Sequence, residues 1–146
     1  MNKAELLELV KQKIAEKVQK FEQLIAETRA SNNDTKSSMG DKYETSREML
    51  QQEINNLQMQ LNEFIKAQQI LKNIQLISHK TVGLGSCVET EKGKFFIAVS
   101  LGEISLNQEK IFVISTESPL AKAMNGKKEG DVFLMNNLSQ TIKNIY

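Results

Sequence analysis

Residues 33–48 read NDTKSSMGDKYETSRE and hold four acids, Asp34, Asp41, Glu44 and Glu48, among small polar residues and one glycine, Gly40. Carboxylates are hard oxygen ligands of the kind Mg2+ takes. Two or three of them do not fill an octahedron, so the ion keeps waters and draws its other ligands from substrate phosphate or a partner. The segment lies between two long stretches of helix-type sequence. Acids there would sit at the end of a rod and could complete a metal site belonging to another protein. The same residues also suit plain capping. Asp41 is placed to cap the second helix, with Glu44 three residues on as the other half of a capping box, and Asp34 can serve the helix end before it. Glu48 falls a further turn along, on the helix surface.

The remaining candidates for chemistry are weaker. Cys87 is the single thiol and His79 the single imidazole. A Cys–His nucleophile pair is conceivable, but Cys87 lies inside a strand-like run and a structural cysteine is the favoured reading. GLGS at 83–86 precedes a strand rather than a helix, which excludes a dinucleotide loop. GKKEG at 126–130 lacks the spacing and the following helix of a phosphate loop. Lys11, Lys13, Lys17 and Lys20 alternate with Glu8, Glu16 and Glu22, the pattern of a solvated, salt-bridged helix face.

Two elements must position the acids. Leu7, Val10, Ile14, Val18, Phe21, Leu24 and Ile25 form one stripe at helical spacing. Tyr43, Leu50, Ile54, Leu57, Leu61, Phe64 and Leu71 form a second, at coiled-coil spacing. One antiparallel hairpin buries both stripes. Its connector is expected near 31–41, where Ser31, Asn32 and Asn33 compete with the helix backbone and Gly40 permits a bend. Pairing of the helices across two chains is the alternative; matched lengths favour one chain folding back, and a monomer.

The composition changes near residue 75. Beyond it SCVET and FFIAVS flank a turn at Gly93, KIFVIS and VFLM read as strands, and TIKNIY as a last one. Ser118 can cap a short helix, with Pro119 in its first turn and Leu120, Ala121, Ala123 and Met124 behind. The fold class is therefore α+β: an antiparallel coiled-coil hairpin over 1–75, then a small β-rich domain over 76–146 with an antiparallel sheet and one short helix.

The whole chain has 146 residues, a formal charge of +1 and 25% charged residues. That balance gives no general attraction to nucleic acid or anionic lipid. One cysteine excludes an internal disulfide and a thiolate zinc cluster, and one histidine excludes a multi-histidine site. MNKAELLELV lacks the apolar core of a signal peptide, and no run reaches the length of a membrane span, so a reducing cytoplasm is the expected setting.

ISTESPLAKAMNGKKEGDVF at 114–133 is similar to a signature of the GreA/GreB transcript cleavage factors: a strand, Ser-Pro-aliphatic-Ala-basic-Ala, then a Gly-Lys-rich turn ending Glu-Gly-Asp. LGSCV at 84–88 resembles the start of that family's C-terminal domain, and DKYETSRE at 41–48 resembles its acidic-x-Tyr-x-x-x-Arg-Glu beside the coiled-coil tip. The resemblance covers roughly residues 20–135, and the 114–133 block is its specific part. It implies an FKBP-like C-terminal domain that docks on bacterial RNA polymerase while the hairpin enters the secondary channel. Acids at the tip would then help the polymerase's own Mg2+ cut backtracked RNA in a two-metal scheme. The implied protein is an accessory factor and not itself an enzyme. It holds no stable cofactor and sits close to nascent RNA and, within the elongation complex, DNA.

Residue by residue, the metal role carries over to Asp34, Asp41 and Glu44, within a tip that includes Ser37, Ser38, Gly40 and Tyr43. The family's tip has Asp-x-x-Glu before the tyrosine; here Asp34 is followed at that spacing by Ser37, and the loop is longer. The docking residues are expected at Ser118, Pro119, Lys127, Lys128 and Glu129, although Pro119, Gly126 and Gly130 also suit a purely structural turn. Two other readings remain open: a regulator that binds the polymerase without supporting cleavage, and a coiled-coil scaffold or holdase with a peptide-binding C-terminal domain.

Overall fold

The N-terminal half contains no proline, and Gly40 is the one glycine before residue 83. Helix-compatible residues on either side of it form two helices of 32 residues each, α1 (Lys3–Asp34) and α2 (Asp41–Lys72). The computed structural model describes the backbone of residues 2–34 and 41–146, and the side chains of 2–31 and 46–146. Ser31, Asn32, Asn33 and Asp34 are helical, so α1 reaches four residues into the connector expected from 31. Such residues cost a helix only a few tenths of a kcal/mol each, which the packing of the preceding turns readily outweighs. No helix among the described residues is long and apolar enough to cross a membrane.

The chain forms two compact units, Gln12–Gln68 and a second made of Met1–Lys11 with Gln69–Tyr146. In the first, α1 and α2 pair as the expected antiparallel hairpin. Ile25, Ile54 and Leu61 are buried, with Val18, Phe21 and Leu57 packed against them. The Phe21 and Phe64 rings meet at 5.3 Å between centroids. The stripe residues described in this unit, from Ile14 to Ile25 and from Leu50 to Phe64, are buried or half-buried, and glutamine and asparagine pairs such as Gln51–Asn55 and Gln58–Asn62 line the outside.

The second unit holds β1 (Cys87–Thr90), β2 (Gly93–Ala98), β3 (Gly102–Leu106), β4 (Glu109–Ser115), α3 (Pro119–Met124), β5 (Val132–Met135) and β6 (Leu138–Ile145). The sheet order is β3-β4-β2-β1-β6-β5. The sheet is mixed rather than antiparallel as expected, because β4 runs parallel to β2 and lies between β2 and β3. The strand that changes the topology is β3. Ile104 is its one buried residue, so its apolar pattern is too sparse to read.

Ala121 and Met124 of α3 pack on one sheet face against Val88, Phe95, Ile97, Phe133 and Ile142. On the other face Cys87, Phe96, Ala98, Ile111 and Val113 are buried as well. Burial on both faces explains the unbroken apolar run of β2, which an open antiparallel sheet would not need. Leu6, Leu7 and Val10 of α1 and Leu71 of α2 are buried in the same unit.

Leu61→Ala removes a buried seam residue and should destabilise the protein by about 2–4 kcal/mol. Met59→Ala, two residues away and 67% exposed, should stay within about 0.5 kcal/mol. Urea denaturation followed by circular dichroism checks both.

Candidate docking site and tip

The 118–131 block is built from the short helix outward. Ser118 has extended backbone, and its hydroxyl accepts from the Ala121 N–H at 3.1 Å, with Pro119 in the first turn. The helix starts as its sequence dictates. The turn after it is anchored by backbone. The Gly126 N–H donates to the Val82 carbonyl at 2.9 Å, and the Val82 N–H to the Lys127 carbonyl at 2.8 Å. Gly130 donates to Ile142 at 2.8 Å. Gly126 (φ 76°) and Gly130 (φ 89°) both occupy the left-handed region, which side chains disfavour. The two glycines are therefore required by the turn itself.

Of the residues expected to dock, Ser118 and Pro119 thus have structural duties. Lys127 is half-buried, with its carbonyl accepting from the Val82 N–H and its N–H donating to the Met124 carbonyl. Lys128 and Glu129 are exposed, but the Glu129 carboxylate accepts from the Ile145 N–H at 3.0 Å and so braces β6. The Lys128 N–H is held by the Asp131 carboxylate at 3.0 Å, which orients the turn. Among the described residues, neither Lys127 nor Lys128 forms an ion pair. The block therefore offers two uncommitted ammonium groups on a rigid turn.

The tip is reached through backbone alone. Asp34 is the last residue of α1 and Asp41 the first of α2, with Tyr43 and Glu44 in the first turn of α2. Their side chains, and all of Ser37, Ser38 and Gly40, lie outside the described residues. The hairpin nevertheless brings Asp34 and Asp41 to its same end, because the helices that carry them run antiparallel along one seam.

The long lysine face of α1 departs from the salt-bridged pattern expected. Lys11 approaches Glu8 at 4.0 Å. Lys13, Lys17 and Lys20 are exposed and make no ion pair among the described residues. The Lys17 ammonium instead sits 5.9 Å from the Phe64 ring centroid, a cation–π contact.

Cys87 is fully buried in β1, and that burial pushes its thiol up to about 11, with Lys94 and Lys3 opposing the shift. It stays protonated at neutral pH and is a core residue, not a nucleophile. His79 is half-buried, and its Nε2 is shielded from solvent without a hydrogen-bond partner among the described residues. Burial, and then the Lys3 ammonium, hold its imidazole below the usual value. Among the described residues no group of three acids, histidines or cysteines could hold a metal ion.

Sequence reasoning passed over Lys3. Its ammonium donates to the carbonyls of Ile77 at 2.6 Å and Tyr146 at 3.1 Å, tying the first turn of α1 to the chain after α2 and to the end of β6. A cation in the first turn opposes the helix dipole, which is the one signal in the sequence that it has other work.

No family model matches the chain. Among solved structures, GreA factor homolog 1 (Gfh1) of Thermus thermophilus is similar at 18% identity, over 93% of this chain and 94% of that one, with a TM-score of 0.38. A second structure of the transcription factor Gfh1 shows 17% identity over 91% and 89%, TM-score 0.38. Gfh1 of Thermus aquaticus shows 18% identity over 92% of both chains, TM-score 0.35.

Two outcomes follow from the geometry. Ser118→Ala removes the cap of α3 and should cost about 1 kcal/mol, read in the same urea experiment. Depression of the His79 pKa means that the unfolded chain binds the proton more readily than the folded one. Above 6.5, the ordinary value, both states are neutral there and nothing is lost; as pH falls below it, stability drops. His79→Gln should therefore shrink the loss of stability between about pH 7.5 and about pH 5.

Proposed function

We propose that this chain is a Gre-like transcription factor that binds RNA polymerase through the secondary channel and acts on the polymerase's active centre. The observation that carries the reading is the position of Asp34 and Asp41 at one end of a hairpin of two 32-residue helices. At 1.5 Å per residue each helix is roughly 48 Å long, the length of a probe that could reach into a channel. Carboxylates delivered there would share the polymerase's Mg2+, whose remaining ligands come from the polymerase and the RNA phosphate. The metal supplies the activated water. This chain would supply oxygen ligands and position, with Glu44, in the first turn of α2, as a candidate third acid.

The 114–133 block supports the partner. Its resemblance to the family signature falls on residues that fold as a capped helix and a hydrogen-bonded turn, with Lys127 and Lys128 in no ion pair among the described residues. On this reading the turn meets an acidic surface of the polymerase. The exposed Lys13, Lys17 and Lys20 would face RNA or DNA phosphates in the complex. The chain is an accessory factor whose chemistry belongs to the enzyme it completes.

One observation favours a second reading. Ser37 occupies the position where the family pattern has glutamate, so the tip brings fewer acids at the expected spacing. A factor with this tip could occupy the channel and regulate the polymerase without supporting cleavage.

Purified polymerase halted in a backtracked complex separates the readings. The primary reading expects Mg2+-dependent RNA cleavage stimulated by the chain, lost in Asp34→Ala or Asp41→Ala while binding persists. Binding without stimulated cleavage in the unsubstituted protein selects the regulator. Absence of binding removes both.

A further inference from the structure

β5 (Val132–Met135) stands last in the sheet order, so one of its sides meets no strand. Its other side pairs with β6 in continuous register, from Val132 opposite Thr141 to Met135 opposite Leu138. Asn136 and Asn137, both at positive φ, close that hairpin as a two-residue turn. Met135 and Leu138 are then a hydrogen-bonded pair, and bonded pairs alternate along an antiparallel ladder. Phe133 therefore bonds to Gln140, and the N–H and C=O of Val132 and Leu134 point to the open side. Two bonds fix this phase independently. The Ile142 N–H donates to the Asp131 carbonyl at 2.9 Å, and the Thr141 N–H, turned away from β5, donates to the Glu91 carboxylate at 2.7 Å. Among the described residues, no backbone bond outside the ladder involves Val132 or Leu134.

The same two residues carry exposed side chains, Val132 at 55% and Leu134 at 68%. Edge strands are commonly guarded by a charge, a proline or a bulge. β5 has none of these, whereas the opposite edge, β3, carries Glu103 beside Lys110 at 3.6 Å. Donors, acceptors and apolar side chains thus coincide at two positions of one open edge. That combination fits an extended strand rather than a helix or a flat surface.

We propose that β5 pairs antiparallel with β5 of a second copy of this chain, about a two-fold axis at Phe133. The open groups dictate the register. Val132 opposite Leu134 of the second copy, and Leu134 opposite its Val132, are both bonded pairs that exchange two hydrogen bonds each. Every open N–H and C=O of the two residues is then used. Residues opposite one another share a face, so the smaller valine meets the larger leucine twice on one side of the joined sheet. Next to them Asp131 stands opposite Met135, and Gly130 opposite Asn136, so no charge meets its like. A formal charge of +1 leaves little repulsion between copies. A foreign strand would satisfy the backbone, but the match of bonds and side chains in one symmetric register selects the second copy. The strand and its flanking turns lie in one compact unit. The helical hairpin stays closed within each chain, and none of this rests on the polymerase reading. One short strand pair makes an interface of the weak, transient class, so association is expected in the range of about 0.1–1 mM.

The test is sedimentation equilibrium and amide hydrogen exchange by NMR on the full chain, from about 0.02 to about 1 mM. The mass should rise toward that of a dimer. The Val132 and Leu134 amides should exchange fast in dilute protein and slow as the mass rises, while Phe133, bonded to β6, stays slow throughout. Leu134→Lys should weaken association about tenfold or more, and Val132→Lys should do the same, with a slow Phe133 amide showing that β5 still folds in both. A mass that stays monomeric over this range, a dimer that leaves Val132 and Leu134 fast, or protection centred on α1 and α2 instead would each overturn the proposal. So would edge protection that appears only when polymerase is added, or a dimer indifferent to both lysine variants.

Discussion

Burial of one apolar stripe on each of two otherwise polar helices is the constraint on which the functional reading rests. Neither helix would be stable alone in water, since most helical stability in proteins comes from packing an apolar face rather than from propensity. Ile25, Ile54 and Leu61, closed over by Val18, Phe21 and Leu57, provide that packing. The Phe21–Phe64 ring contact and the Lys17 ammonium over Phe64 add to it. The seam also fixes which residues come to the far end. With the helices antiparallel, Asp34 and Asp41 must share it whatever the path of the residues between them.

The sheet-bearing unit answers a different requirement. Its mixed sheet is buried on both faces, so β2 can be apolar throughout. The first turns of α1 belong to this unit, tied in by Lys3 and by Glu5 with Asn107. Among the described residues, Lys127 and Lys128 of the turn after α3 have no acid partner. Lys122 of α3, by contrast, is paired with Glu117, as Lys66 of α2 is with Glu63.

Much of this was legible in the residues. The two stripes, the Ser118–Pro119 helix start and the strands around Gly93 all follow from local rules of periodicity, capping and turn chemistry. β3 was not legible, because a single inward residue, Ile104, carries it. Its hairpin to β4 turns on Asn107 and Gln108, and that of β5 to β6 on Asn136 and Asn137, all with positive φ. Those turns use asparagine rather than glycine, a weaker signal for a two-residue hairpin. The parallel β2–β4 pairing is a non-local choice that no short window contains. Of the site, the turn's residues were readable, while the duties of Glu129 and the half-burial of Lys127 depend on β6 and on Val82, both distant in sequence. Lys3 and His79 likewise acquire their environments only from the folded unit.

The central claim is that the helical hairpin delivers its far end into the polymerase active centre. Replacing the active-centre Mg2+ of the polymerase with Fe2+ makes that centre a local source of hydroxyl radicals, which cut any polypeptide beside it. In the complex with polymerase, cuts should fall in this chain within residues 34–41 and disappear when Mg2+ is restored in excess. Cuts confined to the sheet-bearing unit, or a chain left whole in a complex that has formed, would contradict the account.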